Sequence, residues 1–169
     1  MRQKYQKWDR LLQLFFESSE KEFTIREISK QIKIPRASVQ RYLKQLQEEG
    51  LLTKENKTIV TPYFKFKKTF FLIDKIFTSG LLDYLETELA PSTIIVFGSV
   101  RKGEYDKESD IDLFIETTKE KKEINLKEFE RKLGHKIQLF LEKNINNLPS
   151  DLRNNVINGI KLRGYFQLK

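Results

Sequence analysis

Apolar positions recur at helical spacing through the first half of this chain, then gather into short strand-like runs further on. Within residues 5–16, Trp8, Leu11, Leu12, Phe15 and Phe16 fall on one helical stripe, which predicts a first helix. Thr24-Ile25-Arg26-Glu27 places a capping threonine three positions ahead of a glutamate, and Ile25, Ile28 and Ile32 line one face of the short helix it opens. Pro35 suits a first helical turn. A third helix is expected over about residues 36–49, with Val39, Tyr42, Leu43 and Leu46 inward and Gly50 at its end. Leu51-Leu52-Thr53, a turn at Glu55-Asn56-Lys57 and the β-prone Thr58-Ile59-Val60-Thr61 predict a small hairpin. Tyr63-Phe64-Lys65-Phe66-Lys67-Lys68 reads as its exit strand, aromatics inward and lysines outward.

Phe70, Phe71, Ile73, Ile76 and Phe77 predict a connecting helix that breaks at Ser79-Gly80. Leu81, Leu82, Leu85 and Leu89 predict another, stopped at Ala90-Pro91. Strands follow at residues 93–97, 109–115 and 136–142, with a helix near residues 125–133 before the last.

Two short helices joined tightly, the second with a polar outer face, make a helix-turn-helix. The outer positions of the third helix are Arg36, Ser38, Gln40, Arg41 and Lys44, side-chain types that bond phosphates and base edges. With the hairpin behind it, the segment over residues 5–66 resembles the winged helix-turn-helix domains of prokaryotic transcription regulators. That resemblance implies DNA as a partner of residues 1–66. Charge agrees: residues 1–68 hold 16 Lys/Arg against 8 Asp/Glu, and residues 69–169 hold 16 against 16, so the whole net charge of +8 lies in the first part. Trp8 with Phe15 and Phe16 is expected as core, or as a contact with a second copy of the chain in a homodimer.

The 169 residues suffice for one domain or two small ones, and the absence of cysteine excludes disulfides, thiolate metal sites and thiol nucleophiles. No apolar run is long enough to span a bilayer, and Met1-Arg2-Gln3-Lys4 leads into a helical pattern rather than a signal peptide. A cytoplasmic protein with no membrane partner is expected. The division expected is residues 1–66, a helical connector over 67–79, and a second domain over 80–169, with no Gly/Ser linker between them.

The chemistry concentrates where an apolar strand runs into Gly98-Ser99 and a second strand opens with Asp110-Ile111-Asp112. Gly98 lets the backbone turn sharply and approach a phosphate. Ser99 offers a hydroxyl and an N–H at the start of a helical turn. In extended chain, residues two apart face the same way, so Asp110 and Asp112 present two carboxylates side by side. Such a pair repels unless a cation relieves it, and hard oxygen donors suit Mg²⁺ shared with substrate phosphates. Arg101 and Lys102, between the two halves, are candidate triphosphate contacts. Phe97 and Phe114 are read as core.

Residues 93–115 resemble the signature of the DNA polymerase β-like nucleotidyltransferase superfamily. The closest type is the minimal nucleotidyltransferase, with its Gly-Ser, ten residues, then Asp-x-Asp. The resemblance extends over residues 79–167, where Val156-Ile157-Asn158-Gly159-Ile160 and the residues after it are similar to the usual end of these domains. It implies an α+β chain of two domains, a winged helix-turn-helix followed by an αβ nucleotidyltransferase domain with a small mixed sheet. It further implies Asp110 and Asp112 as catalytic and metal-binding residues, and Gly98, Ser99, Arg101 and Lys102 at the nucleotide. The expected activity is Mg²⁺-dependent transfer of NMP, AMP from ATP, to a macromolecule such as a helical HEPN-type toxin. The chain would then be an antitoxin with an added DNA-binding unit. Active members carry a third carboxylate on a later, adjacent strand, where this chain has Gln138, an amide that cannot serve as a base. Glu116 and Glu142 share the face but lie farther along. The alternative is a DNA-binding regulator whose second domain only binds nucleotide or is inactive. His135 is expected as a surface turn residue.

Overall fold

The structure, a computed structural model, describes residues 2–119 and 123–165, and of side chains those from residue 6 onward. The expectations for Met1 and for the end of the second domain at residues 166–169 lie outside the described residues. Two compact units divide the chain, Met1–Lys65 and Phe66–Lys169.

The first unit packs three helices, α1 (Arg2–Glu17), α2 (Ile25–Ile32) and α3 (Arg36–Glu48). Thr24 starts α2 as its sequence implied. Its Oγ1 accepts from the Glu27 N–H at 3.2 Å, and Glu27 Oε2 accepts from the Thr24 N–H at 2.8 Å. These two bonds satisfy donors that a helix start leaves open. Leu11, Phe15, Phe16, Ile28, Val39 and Leu46 form the core, with Phe15 edge-on to Phe23 and half-buried Trp8 edge-on to Tyr42. Phe15 and Phe16 are only 2% and 1% exposed, so they are interior packing and not the surface for a second copy.

The hairpin is shorter than its sequence implied. A single bridge joins Leu52 to Thr58, and Val60 is exposed. The expected exit strand is a correction. Tyr63 to Lys68 belong to α4 (Pro62–Thr78), a helix of 17 residues. Pro62 presets a helical φ at the first position, and Thr61 Oγ1 accepts from the Phe64 N–H at 3.1 Å. The apolar positions Phe64, Leu72, Ile73 and Ile76 then keep a helical period, which overrides the local alternation. Facing is reversed as well: Tyr63 and Phe66 are 50% and 52% exposed, and Lys68 is 3% exposed.

In the second unit, Gly80 at φ +85° turns the chain into α5 (Leu81–Leu89). A four-stranded sheet follows in the order β3-β2-β1-β4, from β1 (Thr93–Val96), β2 (Ile111–Glu116), β3 (Ile137–Glu142) and β4 (Ile160–Gly164). β1 is antiparallel to β2 and β4, whereas β2 and β3 are parallel and joined through α7 (Lys127–Leu133). Ile94, Val96, Ile111, Leu113 and Ile115 are buried on one face by alternation. The other face carries Ile95, Phe97 and Phe114, packed with Phe140 of β3, with Ile145 and Leu148, and with Leu152 and Val156 of α8 (Ser150–Ile157). Phe97 and Phe114 are therefore core, as read from the sequence. Both faces being covered explains why β1 is an uninterrupted apolar run.

Candidate functional site

The site lies at one end of the second face, where β1 runs into a five-residue helix, α6 (Gly98–Lys102). Phe97 stays extended, and its N–H donates to the Asp112 carbonyl at 3.1 Å, which clamps the turn to β2. Gly98 takes φ +67°, and a Cβ built there would stand 2.2 Å from Asp112 Oδ2. The Asp112 carboxylate is thus seated against the bare Cα of Gly98, which a larger residue would displace. Asp112 is half-buried and Asp110 exposed. Burial, and secondly the charge of Asp110, holds the Asp112 carboxyl above its ordinary value. Among the described residues neither carboxylate has a basic partner.

The loop from α6 to β2 is built to fix where Asp110 starts. Asp106 Oδ1 accepts from the Glu108 N–H at 3.0 Å and from the Ser109 hydroxyl at 2.8 Å, and Ser109 Oγ accepts from the Asp106 N–H at 2.9 Å. The bond to Ser109 is the leading reason the Asp106 carboxyl lies below its ordinary value. Behind the loop stands His135, and here the expected surface residue is corrected. His135 is 5% exposed, with Nδ1 at 2.9 Å from the Ser109 carbonyl and its ring edge-on to Tyr105. A carbonyl only accepts, so Nδ1 carries the proton.

Two residues of α4 brace α6 and its loop, and no local pattern marked them out. Thr69 donates its hydroxyl to the Val100 carbonyl at 2.8 Å, in the middle of α6. The Lys68 carbonyl accepts from the Tyr105 hydroxyl at 3.0 Å, and Lys68 Nζ lies 4.7 Å from the centre of the Tyr105 ring. These contacts join residues more than thirty positions apart, beyond any local pattern.

Ser99 is half-buried, and Arg101 and Lys102 are exposed in the last turn of α6 with no ion pair among the described residues. Gln138 is the in-register parallel neighbour of Asp112 and is exposed. Glu116 and Glu142 pair with each other farther along the strands. The oxygen donors at the site are two carboxylates and an amide, a hard set of the kind a small divalent cation takes with phosphate and water oxygens. The Gly98 cradle that holds Asp112 is consistent with such a fit. No group of three His, Cys, Asp or Glu is gathered for a metal among the described residues.

In the first unit, Arg36, Gln40, Arg41 and Lys44 are exposed along α3 and Ser38 is half-buried. The Arg41 guanidinium lies 5.2 Å from the Tyr42 ring centre, and Lys44 makes a 3.9 Å ion pair with Glu48. No described helix is long and apolar enough to cross a membrane.

Comparison with protein families finds two matches on this chain. The model described as nucleotidyltransferase domain covers residues 78–165, and that of the sugar-specific transcriptional regulator TrmB covers residues 16–74. No curated protein and no solved structure matches significantly. The first match spans half of the chain and contains the whole Gly98 to Asp112 site; the second contains α2, α3 and the hairpin. The chain therefore belongs to the nucleotidyltransferase domain family and carries, ahead of that domain, a helix-turn-helix regulator domain of the TrmB type.

Proposed function

We propose that the second unit transfers a nucleoside monophosphate, AMP from ATP, to a macromolecular acceptor, and that the first unit binds DNA. The observation that carries this reading is the Asp112 carboxylate seated against Gly98 at the start of α6, with Asp110 two residues ahead. Asp110 and Asp112 would hold Mg²⁺, which when bound supplies charge neutralisation and orientation of the triphosphate. Gly98 and Ser99 would let the backbone approach the phosphates, and Arg101 and Lys102 would meet them. The acceptor hydroxyl oxygen attacks the α-phosphorus, the bond to the pyrophosphate oxygen breaks, pyrophosphate leaves, and the hydroxyl proton passes to water.

The domain is small, with little chain for a pocket around a small acceptor, so the acceptor is a protein or nucleic acid. A helical HEPN-type toxin is the partner the resemblance favours, and the chain would be its cytoplasmic antitoxin. Arg36, Ser38, Gln40, Arg41 and Lys44 would meet DNA phosphates and base edges from α3. The test is incubation with α-labelled ATP, Mg²⁺ and a cell extract. Label on a macromolecule that vanishes with Asp110→Ala supports transfer.

A second reading, a DNA-binding regulator whose nucleotidyltransferase domain only binds nucleotide, is favoured by Gln138 in register with Asp112. It predicts no label, yet a Mg²⁺-dependent rise in melting temperature with ATP. No effect of nucleotide in either assay overturns both readings.

A further inference from the structure

The Asp112 face of the parallel strands β2 and β3 has carboxylates at both ends and phenylalanines between. On β2 the alternate positions are Asp110 just before the strand, Asp112, Phe114 and Glu116; beside them on β3 stand Gln138, Phe140 and Glu142. Phe114 is fully buried and Phe140 packs on the same cluster, so the far pair is walled off from the near one. The far carboxylates are also engaged. Glu116 accepts from the Ser92 hydroxyl at 2.8 Å and from the Ile145 N–H at 3.0 Å, and Glu142 accepts from the Asn147 amide at 3.4 Å. Nearer the site, Asp106 closes its own loop, and Glu130 Oε1 accepts from the Ile137 N–H at 3.0 Å, at the start of β3.

We infer that this site takes one divalent cation, the one carried by the nucleotide's phosphates, and that Gln138 sets that count. The inference rests on the nucleotide reading of Asp110 and Asp112. Two cations about 3.5–4 Å apart, as in two-metal sites, repel strongly and need shared anionic ligands to stay together. Two carboxylates and the phosphates suffice for one cation. The amide of Gln138 offers an oxygen but no charge, so nothing offsets a second. The acceptor oxygen then meets an amide that holds it by a hydrogen bond and lowers no proton affinity there.

The full chain is mixed with Mn²⁺ and an ATP analogue whose α–β bridging oxygen is a methylene, and both are counted in what ultrafiltration retains with the protein. The wild type should retain one Mn²⁺ per nucleotide, with an electron paramagnetic resonance spectrum free of Mn–Mn coupling. Gln138→Glu, which adds charge without changing shape at an exposed position, should retain two and show the coupling. Two coupled ions in the wild type, or one in a folded Gln138→Glu, overturn the inference while leaving the nucleotide site standing. Failure of the wild type to retain nucleotide overturns the reading of the site, and the inference with it.

Discussion

Gly98→Ala separates what the backbone needs at the turn from what Asp112 needs. Gly98 sits at φ +67°, where an L-residue costs about 1–2 kcal/mol. Its new Cβ would also stand 2.2 Å from Asp112 Oδ2 and 3.2 Å from Cγ, so the carboxylate has to swing away. Gly80→Ala is the matched control, because Gly80 sits at φ +85° with nothing within 4 Å of the added carbon. Both variants should melt lower, by about 4–8 °C per kcal/mol for a domain of about 100 residues. Only Gly98→Ala should lose nucleotide. Displacing a ligand through its supporting neighbours costs about 10–100-fold in affinity. At a Mg²⁺·ATP concentration of about 100 times the wild-type Kd, binding adds about 2.7 kcal/mol of stability. The same concentration would add only about 1.4 to 0.4 kcal/mol to Gly98→Ala. The assay is thermal melting of all three proteins with and without Mg²⁺·ATP. A Gly98→Ala protein that melts like Gly80→Ala and gains the full wild-type increment from nucleotide refutes the argument.

Thr24→Ala removes the side-chain acceptor at the start of α2 and should cost about 1 kcal/mol by denaturant unfolding; no change sinks the capping assignment. The bonds to Thr24 hold the Glu27 carboxyl below its ordinary value, so its contribution is present at neutral pH and lost as pH falls through the lowered folded-state value. Comparing wild type and Thr24→Ala from neutral to acid pH should show their difference shrinking, and a constant difference argues against the coupling. His135→Ala leaves the Ser109 carbonyl without its donor and should lower stability by about 1–3 kcal/mol, read from the urea midpoint. An unmoved midpoint would show that the contact contributes nothing. Arg36→Ala with Arg41→Ala should weaken DNA binding and flatten the plot of log affinity against log salt by up to about two units, measured by anisotropy. An unchanged slope removes both side chains from the interface.

The elements that a local signal defines were legible in the chain. The Thr24–Glu27 box, the inward stripe of α3 and the apolar runs of β1 and β2 each need only neighbours a few residues away, and each formed where expected. The stretch from Tyr63 to Lys68 misled because the alternation of Phe64-Lys65-Phe66-Lys67 satisfies a strand, whereas the helix is set by Pro62 ahead of them and by Phe64, Leu72 and Ile76 through a longer period. The hairpin strand over residues 58–61 misled for a related reason: β propensity needs a partner strand, and one bridge is all that Leu52 provides. His135 misled because a polar residue after Gly134 looks like a turn until the Ser109 carbonyl and the Tyr105 ring close over it.

By itself, then, the sequence determined which residues are candidates for a triphosphate site. Gly98-Ser99 and Asp110-Ile111-Asp112 are fixed by covalent order, and alternation along a strand puts both carboxylates on one side. Tertiary structure decided how that site is held and how much charge it has. The seating of Asp112 against Gly98, the brace from Thr69 to α6 and the parallel register of Gln138 with Asp112 all depend on chain segments meeting across the fold. Contacts of that kind have no periodicity to betray them. In the parallel register of β3 against β2, Phe114 stands beside Phe140 in one apolar cluster, and the same register leaves an amide, not an acid, beside Asp112.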